Sequence, residues 1–384
     1  MLFSFVFYFQ EDIMKFSCEK ALLAAAVNTA SRAAAAKSAV SSLEGLLIEA
    51  LDGVTVTGYD LKIGIRSSLP ADVSEMGSVV LNCKLFGDII RKLPDDIVTV
   101  EVDGNTFAAE ISCGMSRFKI MGMSSGDYPD LPDVKSQNYL RIKEKDIREI
   151  IGETIFAVSD NEARPIHTGA LFEVDGTSLT VVAVDGYRLA LRKGTLTENK
   201  IIDKSFVVPG SCLNEAERIA GDSDEDIKLT VGMKHIMFTI GRTELISRRL
   251  EGEFLNYRNS IPKDSKYSLT VERRELINAI ERVSLIISDK FKSPVRCRFG
   301  DGVARVSTQT TLGNAADECR IEGDGEGIEI GFNNRYILEA LRAAPADKVV
   351  VKLNTSVAPC IIVPASGDSF LYMILPVRMR TNEN

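Results

Sequence analysis

Two short apolar segments flank an aspartate-containing turn at two places in the chain, with nearly the same pattern. The second segment pair is LTVVAVDGYRLA at 179–190, with Asp185-Gly186 between the apolar runs, and the first is VTVTGYDLKIGI at 54–65, with Asp60 at the turn. Asp-Gly in this setting predicts a β-hairpin, because both central residues adopt positive φ at low cost. The separation of Asp60 and Asp185, about 125 residues, indicates an internal repeat.

The repeat extends along the chain as three units with the same order of patterns. Each unit begins with a strand pattern that leads into an apolar-periodic helix pattern, at 15–31, 139–159 and 267–287. In the third of these helices, Leu276, Ile280, Val283 and Ile287 recur on one helical face. A second strand and helix follow in each unit, at 79–94, 206–220 and 328–345.

Strands outnumber helices in each unit, and the hairpin signals indicate antiparallel connections. The pattern therefore predicts an α+β fold made of three tandem copies of a β-α-β-β-β-α-β-β-β domain, not a doubly wound parallel sheet. We expect the domains at 14–134, 135–263 and 264–384. Three copies of one module also suggest a function that uses repetition, such as a ring, an arc or a multivalent scaffold.

The first 13 residues, MLFSFVFYFQEDI, are apolar but are expected to be an extension outside the fold. Their apolar run is far shorter than the roughly 20 residues that span a bilayer. They also lack the basic start and the small-residue cleavage site of a signal peptide. An additional strand and an apolar surface segment are the alternatives. Met14 begins a more typical strand and helix pattern.

Composition indicates an ordinary globular protein. Of the 384 residues, 45% are hydrophobic and 26% are charged, and the formal net charge is -8. This charge argues against a surface that binds nucleic acid everywhere, but it leaves room for a local basic patch. The seven cysteines are scattered and never form Cys-x-x-Cys, which predicts a reduced compartment with neither a disulfide framework nor a zinc site.

The motifs that resemble catalytic or metal sites are incomplete. SCEK at 17–20 matches Ser-x-x-Lys without the companion motifs of that enzyme class. DSDEDI at 222–227 lacks the glycine and the final glutamate of a calcium loop. His167 and His235 have no evident catalytic partners in the sequence. We therefore predict no catalytic residues, no metal and no cofactor.

Basic residues recur on the predicted helices, whereas many acidic residues occur in strands and turns. The helical cations are Lys84, Arg91, Lys92, Lys145, Arg148, Arg218, Arg273, Arg274, Arg282, Arg335 and Arg342. On any single helix they are explained by a solvated face. If the six helices face the same way, the cations form one basic surface. Such a surface would bind duplex DNA weakly and without sequence preference, because the duplex carries one charge per ~1.7 Å.

Five segments carry a similarity to a known family, and it extends from Met14 to about Met379. They are AVDGYRLA at 183–190, RPIHTGALFE at 164–173, RRLEGEFLNYRNSIP at 248–262, IEIGFNNRYILEAL at 328–341 and YMILPVRM at 372–379. With these segments the chain resembles the bacterial sliding clamps, the β subunits of DNA polymerase III. The resemblance implies a non-catalytic, cytoplasmic processivity factor. It would be a head-to-tail homodimer whose ring surrounds duplex DNA, with helices lining the hole.

The resemblance also implies partners and the residues that contact them. The partners are duplex DNA, a second copy of the chain, DNA polymerase III α and other polymerases, the clamp loader and repair proteins with clamp-binding peptides; no membrane is involved. The peptide groove would comprise Val184, Gly186, Arg188, Leu189, Leu255, Val357, Pro359, Met373, Ile374, Leu375, Pro376, Val377 and Arg378. DNA would contact Lys37, Lys84, Arg164, Lys290 and Arg296. The dimer interface would join Phe118 and Ile120 to Ile286 and Ile287 of the other protomer.

Some positions depart from the pattern of this family. His167 replaces a common aliphatic residue of the groove, and Leu255 replaces a common proline. Gly210-Ser211 stands where basic residues often occur. We expect these departures to affect peptide preference and DNA affinity. An open protein-binding scaffold without a ring, and an enzyme with a site of unfamiliar type, are the alternative functions.

Overall fold

The computed structural model describes residues 13–202, 204–288 and 293–379. The first repeat contains β1 (Ile13–Glu19), α1 (Lys20–Ala30), β2 (Gly45–Ala50), β3 (Val54–Tyr59), β4 (Ile63–Leu69), β5 (Asp72–Glu75), β6 (Gly77–Asn82), α2 (Cys83–Lys92), β7 (Ile97–Asp103), β8 (Ala108–Cys113) and β9 (Ser116–Met121). The second contains β10 (Tyr139–Lys143), α3 (Glu144–Gly152), β11 (Gly169–Asp175), β12 (Ser178–Val184), β13 (Arg188–Thr195), β14 (Glu198–Asn199), β15 (Ser205–Pro209), α4 (Gly210–Ile219), β16 (Asp226–Val231), β17 (His235–Ile240) and β18 (Thr243–Arg248). The third contains β19 (Tyr267–Glu272), α5 (Arg273–Ser284), β20 (Val295–Gly300), β21 (Val303–Thr310), β22 (Gly313–Glu322), β23 (Ile328–Phe332), α6 (Asn334–Ala343), β24 (Lys348–Leu353), β25 (Cys360–Pro364) and β26 (Phe370–Ile374).

The predicted α+β order is confirmed, with more strands between the two helices of each repeat than the sequence indicated. The structure has five strands there in the first two repeats and four in the third, where three were predicted. Two of the additional strands are short: β5 reads DVSE and β14 consists of two residues. Both are too short and too polar to show apolar alternation, which is the signal that predicts a strand.

The strand β1 begins at Ile13, which pairs with Asp103 of β7. The first strand therefore starts one residue before the predicted start at Met14. The predicted extension otherwise falls on residues 1–12, which lie outside the described residues.

The chain divides into two compact units, each with its own core. The first consists of the described residues up to Tyr139 together with Asp226–Arg248, and the second of the described residues from Leu140 to Glu225 and from Arg249 onward. In the first unit, one antiparallel sheet has the order β5-β1-β7-β8-β9, and another contains β16-β17-β18-β4-β3-β2-β6. Phe16, Leu23 and Phe86 are fully buried in the apolar core of this unit. The helices α1 and α2 pack against each other.

The second unit is built on a long antiparallel sheet. Its order is β15-β11-β12-β13-β26-β25-β24-β19-β22-β21-β20-β23. The helix pairs α3 with α4 and α5 with α6 pack in this unit. The strand β13 of the second repeat pairs directly with β26 of the third, so residues from two repeats share one continuous sheet surface.

Candidate functional site

The turn between β12 and β13 is a hairpin whose central residues are Gly186 and Tyr187. The N–H of Asp185 donates to the carbonyl of Arg188 at 3.3 Å, and Gly186 has φ of 92°. The predicted central pair, Asp185-Gly186, is therefore wrong by one residue. The reason is that Asp185 caps the turn with its side chain: its Oδ1 accepts hydrogen bonds from the N–H groups of Tyr187 at 2.8 Å and Arg188 at 3.0 Å.

An apolar floor lies beside this turn where β13 meets β26. Leu189 pairs with Met373 across the two strands, and both belong to one buried cluster with Val184. Ile166 and Phe254 are partly buried and pack against the same cluster. Apolar side chains from two repeats thus form one continuous surface.

Exposed apolar side chains border this floor. Tyr187 follows Gly186 in the turn, Leu255 follows Phe254, and Val377 follows β26; all three are exposed. We call the buried residues Val184, Leu189 and Met373, together with exposed Tyr187, Leu255 and Val377, the β13–β26 surface. Large exposed apolar residues next to an apolar floor are typical of a protein-binding site.

The segment after β26 is fixed by backbone hydrogen bonds. The N–H of Leu375 donates to the carbonyl of Tyr187 at 2.9 Å, and the N–H of Val377 donates to the carbonyl of Gly331 at 2.8 Å. The remaining predicted groove residues differ in exposure. Gly186, Val357 and Arg378 are exposed, Pro359, Leu375 and Pro376 are half-buried, and Ile374 is fully buried.

Arg188 was predicted in the groove, and the structure places its side chain beneath the turn. The residue is buried, and its Nε donates to Asp185 Oδ2 at 2.9 Å while its Nη1 donates to Glu339. Its guanidinium lies 4.4 Å from the Tyr336 ring centroid and 5.4 Å from that of Phe156. These contacts couple the turn to α6 and engage Nε and Nη1 of the guanidinium, so Arg188 supports the turn from below.

The charge of Glu339 is stabilised by its neighbours. Burial acts to raise the pKa of this carboxyl, but the hydrogen bonds from Arg188 and Arg335 outweigh burial and lower its pKa. Glu339 is therefore ionised at neutral pH and pairs with both guanidinium groups. The cluster is a satisfied ion-pair network, which is a structural arrangement and not a catalytic one.

The strand β9 and part of β22 are among the strands whose backbone edges have no partner strand in the described residues. β9 pairs with β8 on one side only. β22 pairs with β21 from Gly313 to Arg320, but with β19 only at Ile321 and Glu322. Exposed edges of this kind are able to pair with another chain.

Apolar side chains accompany both edges. On β9, Ile120 is buried in the core, whereas Phe118 is 40% exposed on the same face of the strand. After α5, Leu285 is 82% exposed, and the predicted interface residues Ile286 and Ile287 are half-buried. The apolar face of β9 that buries Ile120 in the core therefore extends to Phe118, where the described residues leave it partly exposed.

The predicted DNA contacts lie in different settings. Lys37 and Arg164 are exposed in irregular segments, and Lys84 is exposed in the first turn of α2. Arg296 lies in β20 and pairs with Glu329 at 3.6 Å. Lys290 lies outside the described residues.

Several helical cations are exposed and have no ion-pair partner in the part of the chain that the structure describes. They are Lys84, Lys92, Arg148 and Arg274. By contrast, Arg218 pairs with Glu215 and Arg342 pairs with Glu281. Exposed cations without partners are the groups best able to contact phosphates, because no internal carboxylate competes for them.

Lys92, Arg148 and Arg274 were among the helical cations of the basic surface that the sequence suggested, but not among the five residues that the resemblance implied as DNA contacts. Sequence reasoning also did not single out Ile166, Phe254 and Tyr187 beside the groove. An aromatic residue directly after Asp-Gly, and another after Gly-Glu, were the available signals for Tyr187 and Phe254. The pairing state of a cation depends on tertiary contacts and has no sequence signal.

The described residues contain no cluster of His, Cys, Asp and Glu that could hold a metal ion. All seven cysteines are free thiols. Within the described ranges, every helix is too short or too polar to cross a membrane.

Comparison with known proteins gives consistent matches over the whole described chain. Profiles of the DNA polymerase III beta subunit match in order: the N-terminal domain at residues 14–132, the central domain at 141–256 and the C-terminal domain at 258–378. The beta sliding clamp of Halalkalibacterium halodurans is 30% identical over 379 residues, covering 95% of this chain and 100% of the relative. That of Staphylococcus aureus (strain Mu50) is 31% identical over 377 residues, with coverage of 95% and 100%. The crystal structure of the DNA polymerase sliding clamp from Bacillus subtilis is 29% identical, with a TM-score of 0.90 and coverage of 96% and 100%.

Proposed function

Because this chain belongs to the family of DNA polymerase III β subunits, the bacterial sliding clamps, we propose that two copies close head to tail into a ring around duplex DNA. The protein is a processivity factor of three tandem clamp domains and has no catalytic activity of its own. The domain boundaries lie near residues 134 and 263, and the ring acts in the bacterial cytoplasm.

The observation that carries the ring is that β9 and part of β22 have unpartnered backbone edges accompanied by exposed apolar side chains. An isolated protein with two long free edges is prone to open-ended association. If β9 of one copy pairs with β22 of another, a dimer has two equivalent interfaces. Each interface covers one β9 edge and one β22 edge, so all four edges are covered and the assembly closes. Phe118 and Ile120 of one protomer would then pack near Ile286 and Ile287 of the other. Burial of each large apolar side chain contributes about 1.5–3 kcal/mol before ordering costs.

The DNA contacts proposed are weak and numerous. We assign them to Lys37, Lys84, Arg164, Lys290 and Arg296, and add the exposed helical cations Lys92, Arg148 and Arg274. Ion pairs with phosphates exchange rapidly with counterions and carry no sequence information. Such contacts permit sliding, while retention on DNA comes from closure of the ring.

The β13–β26 surface is proposed as the peptide groove. It supports docking of an extended apolar peptide, because it combines a buried apolar floor, exposed aromatic and aliphatic rims and a turn fixed by Asp185. We propose that it also includes Gly186, Val357, Pro359, Ile374, Leu375, Pro376 and Arg378, with Arg188 supporting the turn. Its partners are DNA polymerase III α, other polymerases, the clamp loader and repair proteins.

Sedimentation equilibrium of the purified full chain tests the ring most simply. We expect a single species with twice the mass of one chain at micromolar concentration. A monomer at all concentrations would contradict closure and favour an open scaffold. A series of larger species would indicate that the two edges associate without closing.

A further inference from the structure

His167 is fixed in position by its backbone at one side of the β13–β26 surface. It lies in the single helical turn Pro165–Thr168, directly before β11. Its N–H donates to the carbonyl of Arg164 at 3.0 Å, and its carbonyl accepts from the N–H of Ser159 at 2.9 Å. Both backbone groups are satisfied, so the direction in which the side chain leaves the chain is defined.

The imidazole packs on Phe254, an aromatic residue next to the floor of this surface. Its centroid lies 5.4 Å from that of the Phe254 ring, at an interplanar angle of 75°, which is an edge-to-face contact. Phe254 in turn packs against the cluster that contains Val184 and Met373. His167 therefore adds a polar group to an otherwise apolar wall.

The ring nitrogens of His167 have no hydrogen-bond partner among the residues that the structure describes. Burial, followed by the positive charge of Arg164, lowers the pKa of the imidazole. At neutral pH the ring is therefore uncharged and offers one N–H donor and one nitrogen acceptor. A half-buried group of this kind is available to a ligand that brings its own polar atom.

We propose that His167 makes the groove select peptides whose anchoring residue is an aromatic ring with a hydroxyl, tyrosine in preference to phenylalanine; this rests on the peptide groove proposed above. The ring of the anchor packs on the apolar floor and Phe254, and the hydroxyl hydrogen-bonds to an imidazole nitrogen. A hydroxyl both donates and accepts, so it fits neutral histidine. A carboxylate at the same place would lose its hydration against apolar surface.

The test uses the full-length dimer and two fluorescein-labelled peptides from the clamp-binding segment of the replicative polymerase. The peptides differ only at the anchoring aromatic, phenylalanine or tyrosine. Fluorescence anisotropy at pH 7.5 gives the ratio of the two Kd values for the wild type, His167→Leu and His167→Gln. Sedimentation and thermal unfolding confirm that each variant is a folded dimer.

We expect the wild type to bind the tyrosine peptide about three- to tenfold more tightly, the amount that one neutral hydrogen bond provides. His167→Leu should abolish or reverse this preference, whereas His167→Gln, which keeps a donor and an acceptor, should retain part of it. Equal binding of the two peptides by the wild type, or an unchanged ratio in His167→Leu, would overturn the role of His167 and leave the groove intact. Failure of both peptides to bind the wild type would overturn the groove and this inference together.

Discussion

Asp60 and Asp185 cap their respective hairpins in the same way. Each Oδ1 accepts hydrogen bonds from the backbone N–H groups two and three residues further along, at 2.8 and 2.6 Å for Asp60 and at 2.8 and 3.0 Å for Asp185. The repeated sequence pattern therefore reflects a duplicated turn. The second turn lies beside β26 and borders the β13–β26 surface, whereas the first does not. A change in the first turn is therefore a control for the structural effect of the same change in the second.

Replacement of Asp185 by alanine should weaken peptide binding, and the same change at Asp60 should not. Each change removes two hydrogen bonds to the backbone, which should cost about 1 kcal/mol of stability. Asp185→Ala should cost more than Asp60→Ala, because it also removes the carboxylate that accepts from Nε of the buried Arg188. Only Asp185→Ala also frees the turn that carries Tyr187, so we expect about three- to tenfold weaker binding in that variant alone. Anisotropy titration of a labelled clamp-binding peptide measures the effect. Equal affinities of the two variants would argue that the second turn takes no part in binding.

Leu61 should be replaceable by glycine with a gain in stability. It occupies the position of Gly186 in the first hairpin and has φ of 72°, a region that costs a non-glycine residue about 1–2 kcal/mol. Its side chain is 56% exposed, so little packing is lost. The greater freedom of glycine in the unfolded chain offsets part of the gain. We therefore expect Leu61→Gly to raise the free energy of unfolding by about 0.5–1 kcal/mol.

Urea unfolding measures this change, with Lys62→Gly as the matched control. Lys62 is the next residue of the same turn and is exposed, but its φ is not positive. Glycine there should lower stability by roughly 0.5–1 kcal/mol. The same sign of change in both variants would show that the backbone conformation of Leu61 is not the cause.

Replacement of Phe118 by aspartate should convert the dimer to monomer. The change places a charge on the core face of the edge strand β9, where the proposed interface excludes water, and a buried unpaired charge is strongly destabilising. Met233→Asp is the control, because Met233 is 87% exposed in the turn between β16 and β17. Sedimentation at micromolar concentration should show a monomer for the first variant and a dimer for the second. A dimer of unchanged mass in Phe118→Asp would rule out this part of the interface.

Glu173 should stabilise the fold only while it is ionised. It accepts from the hydroxyl of Tyr257 at 2.6 Å and from the guanidinium of Arg258 at 2.9 and 2.6 Å. Burial acts to raise the pKa of Glu173, but these hydrogen bonds outweigh it and lower the pKa below its usual value. Because the pKa of Glu173 is lower in the folded chain than in the unfolded chain, the stabilisation is at its full value when the pH is above the pKa of the unfolded chain. It is lost as the pH falls through the folded value.

Glu173→Gln should therefore be about 1 kcal/mol less stable than the wild type at pH 7, and the difference should shrink below about pH 4.5. Thermal unfolding at pH 7, 5 and 3.5 measures the difference. Glu253→Gln is the control, since Glu253 is exposed in the segment that leads to Tyr257 and Arg258. A difference that stays constant with pH would show that the charge of Glu173 contributes nothing.

Apolar periodicity predicted the elements that carry the fold. The strand and helix pairs β1–α1, β10–α3 and β19–α5 occur where the pattern indicated, because each helix buries one regular apolar face. The hairpin at Asp185 was also predictable from its composition. Which residues form the centre of this turn could not be predicted, because Asp185 and Gly186 are both compatible with a central position. Only the hydrogen bonds of the Asp185 side chain show that the turn is centred on Gly186 and Tyr187.

Tertiary contacts determine the features that the pattern of apolar and polar residues did not predict. Arg188 lies next to an exposed turn in the sequence, yet Asp185 and Glu339 satisfy it in a buried position, and Glu339 is 151 residues away. The two-residue strand β14 is defined by its pairing with β10 and not by its own sequence. Both depend on partners that are distant along the chain.

Retention on DNA of defined topology distinguishes a closed ring from an open scaffold. The protein is loaded by a clamp loader onto nicked circular duplex, washed in high salt, and the circle is then cut with a restriction enzyme. A closed ring predicts that the protein stays on the circle through the wash and leaves when the DNA is linear, because salt removes phosphate contacts but not a topological link. Equal loss in salt from circular and linear DNA, with a known clamp loaded in parallel, would contradict the ring and favour an open scaffold.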